Sequence, residues 1–351
     1  MKKTGISRLK AVNPKATNLS ETSLIQLSYF QPKDTLPLVL NPLVEDLDLA
    51  VWIENNLESI ETHLLKNGGI LFRGFDINSQ TDFNHFINSI SLQAMPYMEG
   101  ATPRTEVSEK IYTSTEYPSE QSIRLHNELT YVIPWPMKIC FFCVNPAEQG
   151  GETPIADVRR VFKRIEYKIV ERFKKKGWML VRNFGEGFGP SWQTSFGTTD
   201  KAVVESYCRR TSIELEWKDG NRLRTRQVRP AMAKHPKTGE IVWFNHIAFW
   251  HISSLEPKLR EMFLAEFKEE DLPYNTYYGD GSPIEPSVIE EILEAYSQET
   301  VMFSWQKGDL LMLDNMLVAH GRNPFSGLRK ILVAMGNPFT SNSEPFNIKD
   351  I

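Results

Sequence analysis

Residues 305–335 read WQKGDLLMLDNMLVAHGRNPFSGLRKILVAM. Two apolar runs, Asp309–Leu313 and Leu317–Arg322, flank Asp314-Asn315, a pair suited to a turn, and a third, Arg329–Met335, follows the breakers between Pro324 and Gly327. The stretch predicts three successive strands. It carries His320 to a strand end near the core, where an imidazole needs a hydrogen bond or a metal. A satisfied core histidine and a ligand are both open readings of that position.

Upstream, residues 46–66 space their apolar positions at threes and fours and predict a helix that Gly68-Gly69 ends, before a strand over Ile70–Phe75. A short helix over 81–90 follows. Strand-like segments are expected at Ser122–Val132, Met137–Val144, Ile155–Asp157, Trp178–Arg182 and Ile241–Asn245, with helices near 158–175, 200–209, 254–270 and 286–297. The fold class is therefore mixed α/β with a mainly β core, a sandwich or barrel clad by helices. No internal repeat or clean linker divides the chain, so a single domain with long insertions is expected.

The chain has 351 residues, 41% of them hydrophobic and 24% charged, which excludes coiled coil, collagen and intrinsic disorder. A formal charge of −4 argues against a nucleic-acid partner, and the basic bias of the first twenty residues reads as a solvated tail. Met1-Lys2-Lys3 precedes no apolar run, and none elsewhere approaches the ~20 residues that span a bilayer, so no membrane partner and a cytoplasmic location are expected. Three cysteines do not make a secreted disulfide framework. Cys140 and Cys143 lie three apart on a predicted strand, facing opposite sides, and read as core residues.

Among seven histidines, His126 stands out because Glu128 follows it by two within a strand-like run. On a strand those side chains share a face and can grip one ion, although a hydrogen-bonded structural pair also satisfies the spacing. With His320 they would make two histidines and one carboxylate, the donor set of non-haem Fe(II) oxygenases, with open positions for a co-substrate and dioxygen. Catalytic zinc accepts the same set. Arg124, two residues before His126, is expected on the same face. It either forms a salt bridge to Glu116 or Glu120, or receives a substrate carboxylate or phosphate together with Arg104 from the Pro- and Thr-rich segment. The glycine-rich Gly185–Gly189 lacks the strand-then-helix context of a phosphate loop and reads as a flexible lid. His246 and His251 read as structural or pocket-lining.

Several motifs in order carry a resemblance: ILFRGF at 70–75, His126-Asn127-Glu128, PAEQGGETPIAD at 146–157, Trp243-Phe244-Asn245, Tyr278-Gly279-Asp280-Gly281 and the 305–335 stretch. The chain resembles the taurine dioxygenase-like (TauD/TfdA) superfamily of Fe(II)/2-oxoglutarate oxygenases, most closely its SyrP-like, clavaminate-synthase-like branch. The resemblance implies a double-stranded β-helix, or jelly roll, clad by helices: an N-terminal extension over 1–45, then one oxygenase domain over 46–351 with a long insertion at about 180–300. It implies His126, Glu128 and His320 as metal ligands and catalytic residues, Thr153 and Arg329 on the 2-oxoglutarate carboxylate, and Fe(II), 2-oxoglutarate and O2 as cofactor and co-substrates. Asn245, with Arg124 and Arg104, is a candidate substrate contact.

Two departures refine this. Glu128 stands where taurine dioxygenase has Asp, as in branches that act on amino acids or their derivatives, and it fills the position that halogenases leave open for chloride. Arg329 follows His320 by nine residues, closer than in taurine dioxygenase, which makes Arg322 a rival for the carboxylate. Arg329 is preferred because Arg322 would face the same side as His320 and crowd the iron. The expected reaction is hydroxylation, desaturation or ring formation on an amino-acid-like substrate, free or tethered to a carrier protein, with release of succinate and CO2. A catalytically silent jelly-roll binding protein and a zinc hydrolase are the competing readings.

Overall fold

A computed structural model describes residues 24–30, 35–100, 104–108, 110–114, 117–185 and 187–340. The first twenty residues and Glu116 and Glu186 lie outside these.

The stretch that opened the reading forms the centre of the molecule. Leu310–Asp314 and Lys330–Phe339 are strands of an eight-stranded sheet, both paired antiparallel with Trp135–Asn145 between them. Val318–Arg322 leaves that sheet for a four-stranded one, where it lies between Ile123–His126 and Ile155–Asp157. Asp314 makes the change of sheet possible: its Oδ1 accepts the backbone N–H groups of Met316 and Leu317, at 2.9 and 3.1 Å, closing the turn. Ile25–Ser28 and Leu38–Pro42 extend one edge of the large sheet.

Both faces of the large sheet are covered, which explains why Leu310–Leu313 is an unbroken apolar run. Leu311, Leu313, Ile139, Phe141, Val333 and Met335 point into one core, shared with Ile155, Val318 and Trp243. Leu310, Met312, Phe142 and Ala334 point the other way, onto Trp52, Leu64 and Phe83 from the helices before residue 90. Cys140 and Cys143 fall on opposite faces, as their spacing requires, and burial pushes both thiols up to about 12.

The predicted helix over 46–66 is two helices, Leu49–Asn55 and Leu57–Asn67, broken at Asn56, which has φ −131°. Gly68 ends the second in the left-handed region (φ 79°), where a Cβ would meet Val318 at 2.5 Å. The 158–175 helix also divides, at Ile165-Glu166. Between residues 178 and 278 a separate four-stranded antiparallel sheet forms from Trp178–Phe184, Ile213–Lys218, Arg222–Arg229 and Tyr274–Tyr278. Among the described residues no helix is long and apolar enough to cross a membrane.

Candidate active site

His320 and His126 sit directly opposite one another on adjacent antiparallel strands. Their rings are 4.6 Å apart, between centroids, and Phe141 and Phe249 pack against them. The strand carrying His126 stops there. The predicted continuation to Val132 does not form: Glu128 lies in a turn and Leu129 has φ 54°. Shared strand face is thus not what joins His126 and Glu128.

The turn is held instead by Asn315, from the connection between the two sheets. Its Oδ1 accepts the Glu128 N–H at 2.7 Å and its Nδ2 donates to the carbonyls of Glu128 (2.9 Å) and Pro136 (2.8 Å). The Asn127 side chain donates back to the Asn315 carbonyl at 2.7 Å. All three residues are almost fully buried, so each bond replaces water that is not there. The lock turns the Glu128 carboxylate toward His320, with Oε2 and Nε2 3.6 Å apart.

One donor atom each from His126, Glu128 and His320 lies within 4.8 Å of the others. The donor set fits a divalent metal. His126 Nδ1 donates to the Arg124 carbonyl at 2.8 Å, which leaves its Nε2 with a lone pair, and His320 Nδ1 is buried with no hydrogen-bond partner among the described residues. Burial, reinforced by His320, holds the His126 imidazole neutral, with a pKa of about 3. Burial also pushes Glu128 up, but Arg104 and the two imidazoles overcome it and hold the carboxyl well below the usual range.

Arg104, expected from the sequence to join Arg124 as a substrate contact, lies instead against the donor cluster. It pairs with Glu128 at 2.8 Å, both side chains 4% exposed, and its guanidinium lies 4.4 Å over the Tyr97 ring. Its Nε and Nη1 have no partner among the described residues.

A recess beside the triad is lined by Arg104, Ser114, Thr153, Arg322 and Arg329. Arg329 Nε donates to the Gly151 carbonyl at 3.0 Å and its Nη1 reaches Ser114 Oγ at 3.4 Å. No carboxylate among the described residues pairs with it, and burial, with Arg322 nearby, lowers its pKa to about 10. Thr153 is buried and its hydroxyl accepts from Trp305 Nε1 at 3.0 Å. Arg322 is committed elsewhere: it donates to the carbonyls of Tyr117, Pro118 and Gln121 at 2.9, 2.6 and 2.7 Å. Asn245 is likewise committed, donating to Ala231 and accepting from Ile247.

The profile of the taurine catabolism dioxygenase TauD, TfdA family matches residues 35–335. The chain belongs to this family. Like it, the protein is a dioxygenase that uses Fe(II) and 2-oxoglutarate. Similar family members include the dapdiamide synthesis protein DdaC of Enterobacter agglomerans, 39% identical over 285 residues, which are 81% of this chain and 87% of DdaC. A clavaminate synthase-like protein of Arabidopsis thaliana is 30% identical over 335 residues, 90% of this chain and 98% of its own. Among solved structures, PvcB of Pseudomonas aeruginosa superposes with a TM-score of 0.53 at 14% identity, covering 93% of this chain and 95% of PvcB. AAD-2 in complex with Mn(II) and N-oxalylglycine gives 0.51 at 11% identity, over 90% and 98%. These likenesses establish the jelly-roll fold of the TauD-like chain.

His246 is a residue whose contact with the site the sequence did not reveal. It donates to or accepts from Thr130 at 2.7 Å through Nδ1, and its ring lies 5.5 Å from that of His126. No spacing to His126 signals this, because 120 residues separate them.

Proposed function

We propose that His126, Glu128 and His320 hold the iron, that Arg329 with Thr153 and Ser114 receives the distal carboxylate of 2-oxoglutarate, and that the enzyme oxidises a C–H bond of an amino acid or a compound built from one. Hydroxylation is the outcome we favour, and a substrate carried on a protein-bound arm is compatible with the same site. The observation that carries this reading is a buried three-donor cluster sharing one recess with a guanidinium that has no carboxylate partner among the described residues. A buried guanidinium is stable only beside an anion or a set of acceptors, and its planar fork matches a carboxylate. Arg322 has committed both terminal nitrogens to three carbonyls, which favours Arg329.

When bound, iron(II) with 2-oxoglutarate would activate O2 as the oxidant of an unactivated C–H bond, one oxygen atom going to the substrate and the other to the succinate left when 2-oxoglutarate loses CO2. The chain's own contribution is positional. Asn315 holds the carboxylate, the Arg124 carbonyl fixes the His126 tautomer, and the packing of Phe141 and Phe249 keeps water from both rings. The recess measures about 30 Å³, and the Arg104 guanidinium that lines it is paired with Glu128 at 2.8 Å. The similarity to DdaC supports small-molecule biosynthesis as the setting.

Anaerobic titration with Fe(II) and then 2-oxoglutarate tests the reading. A weak visible charge-transfer band should grow to one equivalent, and succinate should follow on admitting air. A zinc hydrolase or a silent binding protein would give neither.

A further inference from the structure

Beside the strand that carries His126 lies a second space, outside the recess next to the three donors. A cavity of about 320 Å³ is walled by Phe249, Trp250, Leu259, Phe263 and Tyr274, with Arg124 at its edge. Its size falls at the lower end of small-molecule pockets, which run from about 300 to 1,000 Å³. Phe249 is shared with the metal site, its ring 4.6 Å from that of His126. On its other side lies a more polar cavity of about 380 Å³, which Arg124 and Phe249 also line.

Two features mark these walls as a binding surface, the first being the helix and the aromatic roof above it. Helix Pro257–Glu266 has no buried residue, although Leu259 and Phe263, four apart and so on one face, turn toward the cavity. Phe188, from the glycine-rich stretch after the strand Trp178–Phe184, closes over Phe263 and Phe267 at 5.0 and 5.5 Å, an aromatic roof above space rather than above core.

Arg124 is the second feature. Its guanidinium makes no hydrogen bond or ion pair among the described residues, and the expected bridge to Glu120 is absent there. A partly buried cation without a partner, at the mouth of an aromatic chamber and two residues from His126, matches an anionic head on an apolar body.

We propose that this chamber binds an amphipathic acid, its carboxylate paired with Arg124 and its aromatic or branched alkyl body lodged against Phe249, Trp250, Leu259 and Phe263. The proposal deepens the reading above by naming the substrate class, and rests on it for the reaction at His126. Leu259 and Phe263 are then specificity residues, and the small polar amino acids are poor ligands.

The test is calorimetric titration of the full metal-free chain with three probes: 4-phenylbutyrate, its amide, and butyrate. The phenyl acid should bind at least about tenfold tighter than either of the others, the ratio expected for one charge-assisted contact or one buried ring. Arg124→Gln should erase the preference for acid over amide. Leu259→Trp, on a helix that contributes nothing to the core, should fill the chamber and erase the preference for phenylbutyrate over butyrate. Equal binding of acid and amide by the unaltered chain, no binding of any probe, or full binding by Leu259→Trp with an unchanged melting curve would each overturn the proposal. Fe(II) binding by Leu259→Trp separates the two readings: retained iron with lost phenylbutyrate supports the chamber, whereas absent iron in the unaltered chain strikes only the assignment of His126, Glu128 and His320.

Discussion

Glu128 and Arg124 stand four residues apart and live under opposite rules. Around Glu128 every backbone polar group is answered: Asn315 takes its N–H and its carbonyl, and Arg104 takes its carboxylate. Around Arg124 the chain supplies aromatic walls and leaves the charge without a partner among the described residues. The first region is determined from within and is the one we propose to hold the iron of a reaction common to the family. The second is completed from outside, which is where one member can differ from another in substrate.

The largest effect that could break this contrast is at the carboxylate. Glu128→Ala is predicted to lower succinate formation on the order of a thousandfold or more, because a metal ligand is lost. It should also destabilise the metal-free protein by about 3–5 kcal/mol, since Arg104, 4% exposed, is left buried and unpaired. Adding Arg104→Met should restore much of the stability and none of the activity. Urea unfolding and succinate assays on both variants check this; a stable, active Glu128→Ala protein would remove the basis of the metal assignment.

Next in size is the pair of arginines. Arg329→Ala should raise the 2-oxoglutarate requirement roughly a hundredfold with little change in melting, as about 3 kcal/mol of carboxylate pairing is lost. Arg322→Ala should do the reverse, because its three carbonyl bonds tie the 117–121 segment to the small sheet. Succinate formation measured against 2-oxoglutarate concentration distinguishes them, and a co-substrate defect in Arg322→Ala alone would exchange their roles.

Asn315→Ala sharpens the contrast from the structural side. It leaves the Glu128 N–H and the carbonyls of Glu128 and Pro136 buried without partners, at about 3 kcal/mol of stability, and should weaken Fe(II) affinity about 10- to 100-fold. A comparable loss of stability with unchanged iron affinity would make Asn315 a fold residue only.

What could be read from the sequence divides along the same line. The strands of 305–335 were legible because alternation and turn residues act locally, and their two-sided burial wrote itself as an unbroken apolar run. His126 and Glu128 were selected through a strand that stops at His126, two residues short of Glu128. What joins them is a hydrogen bond to Asn315, 187 residues away, and no local pattern encodes that. Arg104 was legible as a cation near the site, while its pairing with Glu128 and its stacking over Tyr97 are tertiary contacts that no local pattern encodes. The chamber could not be foreseen, since Phe188, Phe249 and Phe263 come from three segments and the Gly185–Gly189 stretch read only as a flexible lid.

The smallest effect concerns two neutral histidines. On the polar side, His126 is held neutral by burial together with His320. On the chamber side, His251, between the chamber-lining Trp250 and Ile252, is held at about 4 by burial alone, and its Nδ1 accepts the Ser253 N–H at 3.1 Å. A histidine lowered in the folded state binds its proton first in the unfolded chain, so its stabilising contribution is complete above about pH 6.5 and is lost as pH falls toward 4. Between pH 7 and pH 5 that amounts to about 2 kcal/mol. His251→Asn keeps a side-chain acceptor near the Ser253 N–H and removes the titration, so its urea midpoint should shift less between those pH values than that of the unaltered chain, by about 2 kcal/mol in the derived stability. Saturating Fe(II) should reduce the remaining acid sensitivity if it occupies His126, and should leave the His251 share untouched. An equal acid loss in both proteins would mean that the chamber side tolerates a charged imidazole, and the contrast between the two regions would then rest on hydrogen bonding rather than on burial.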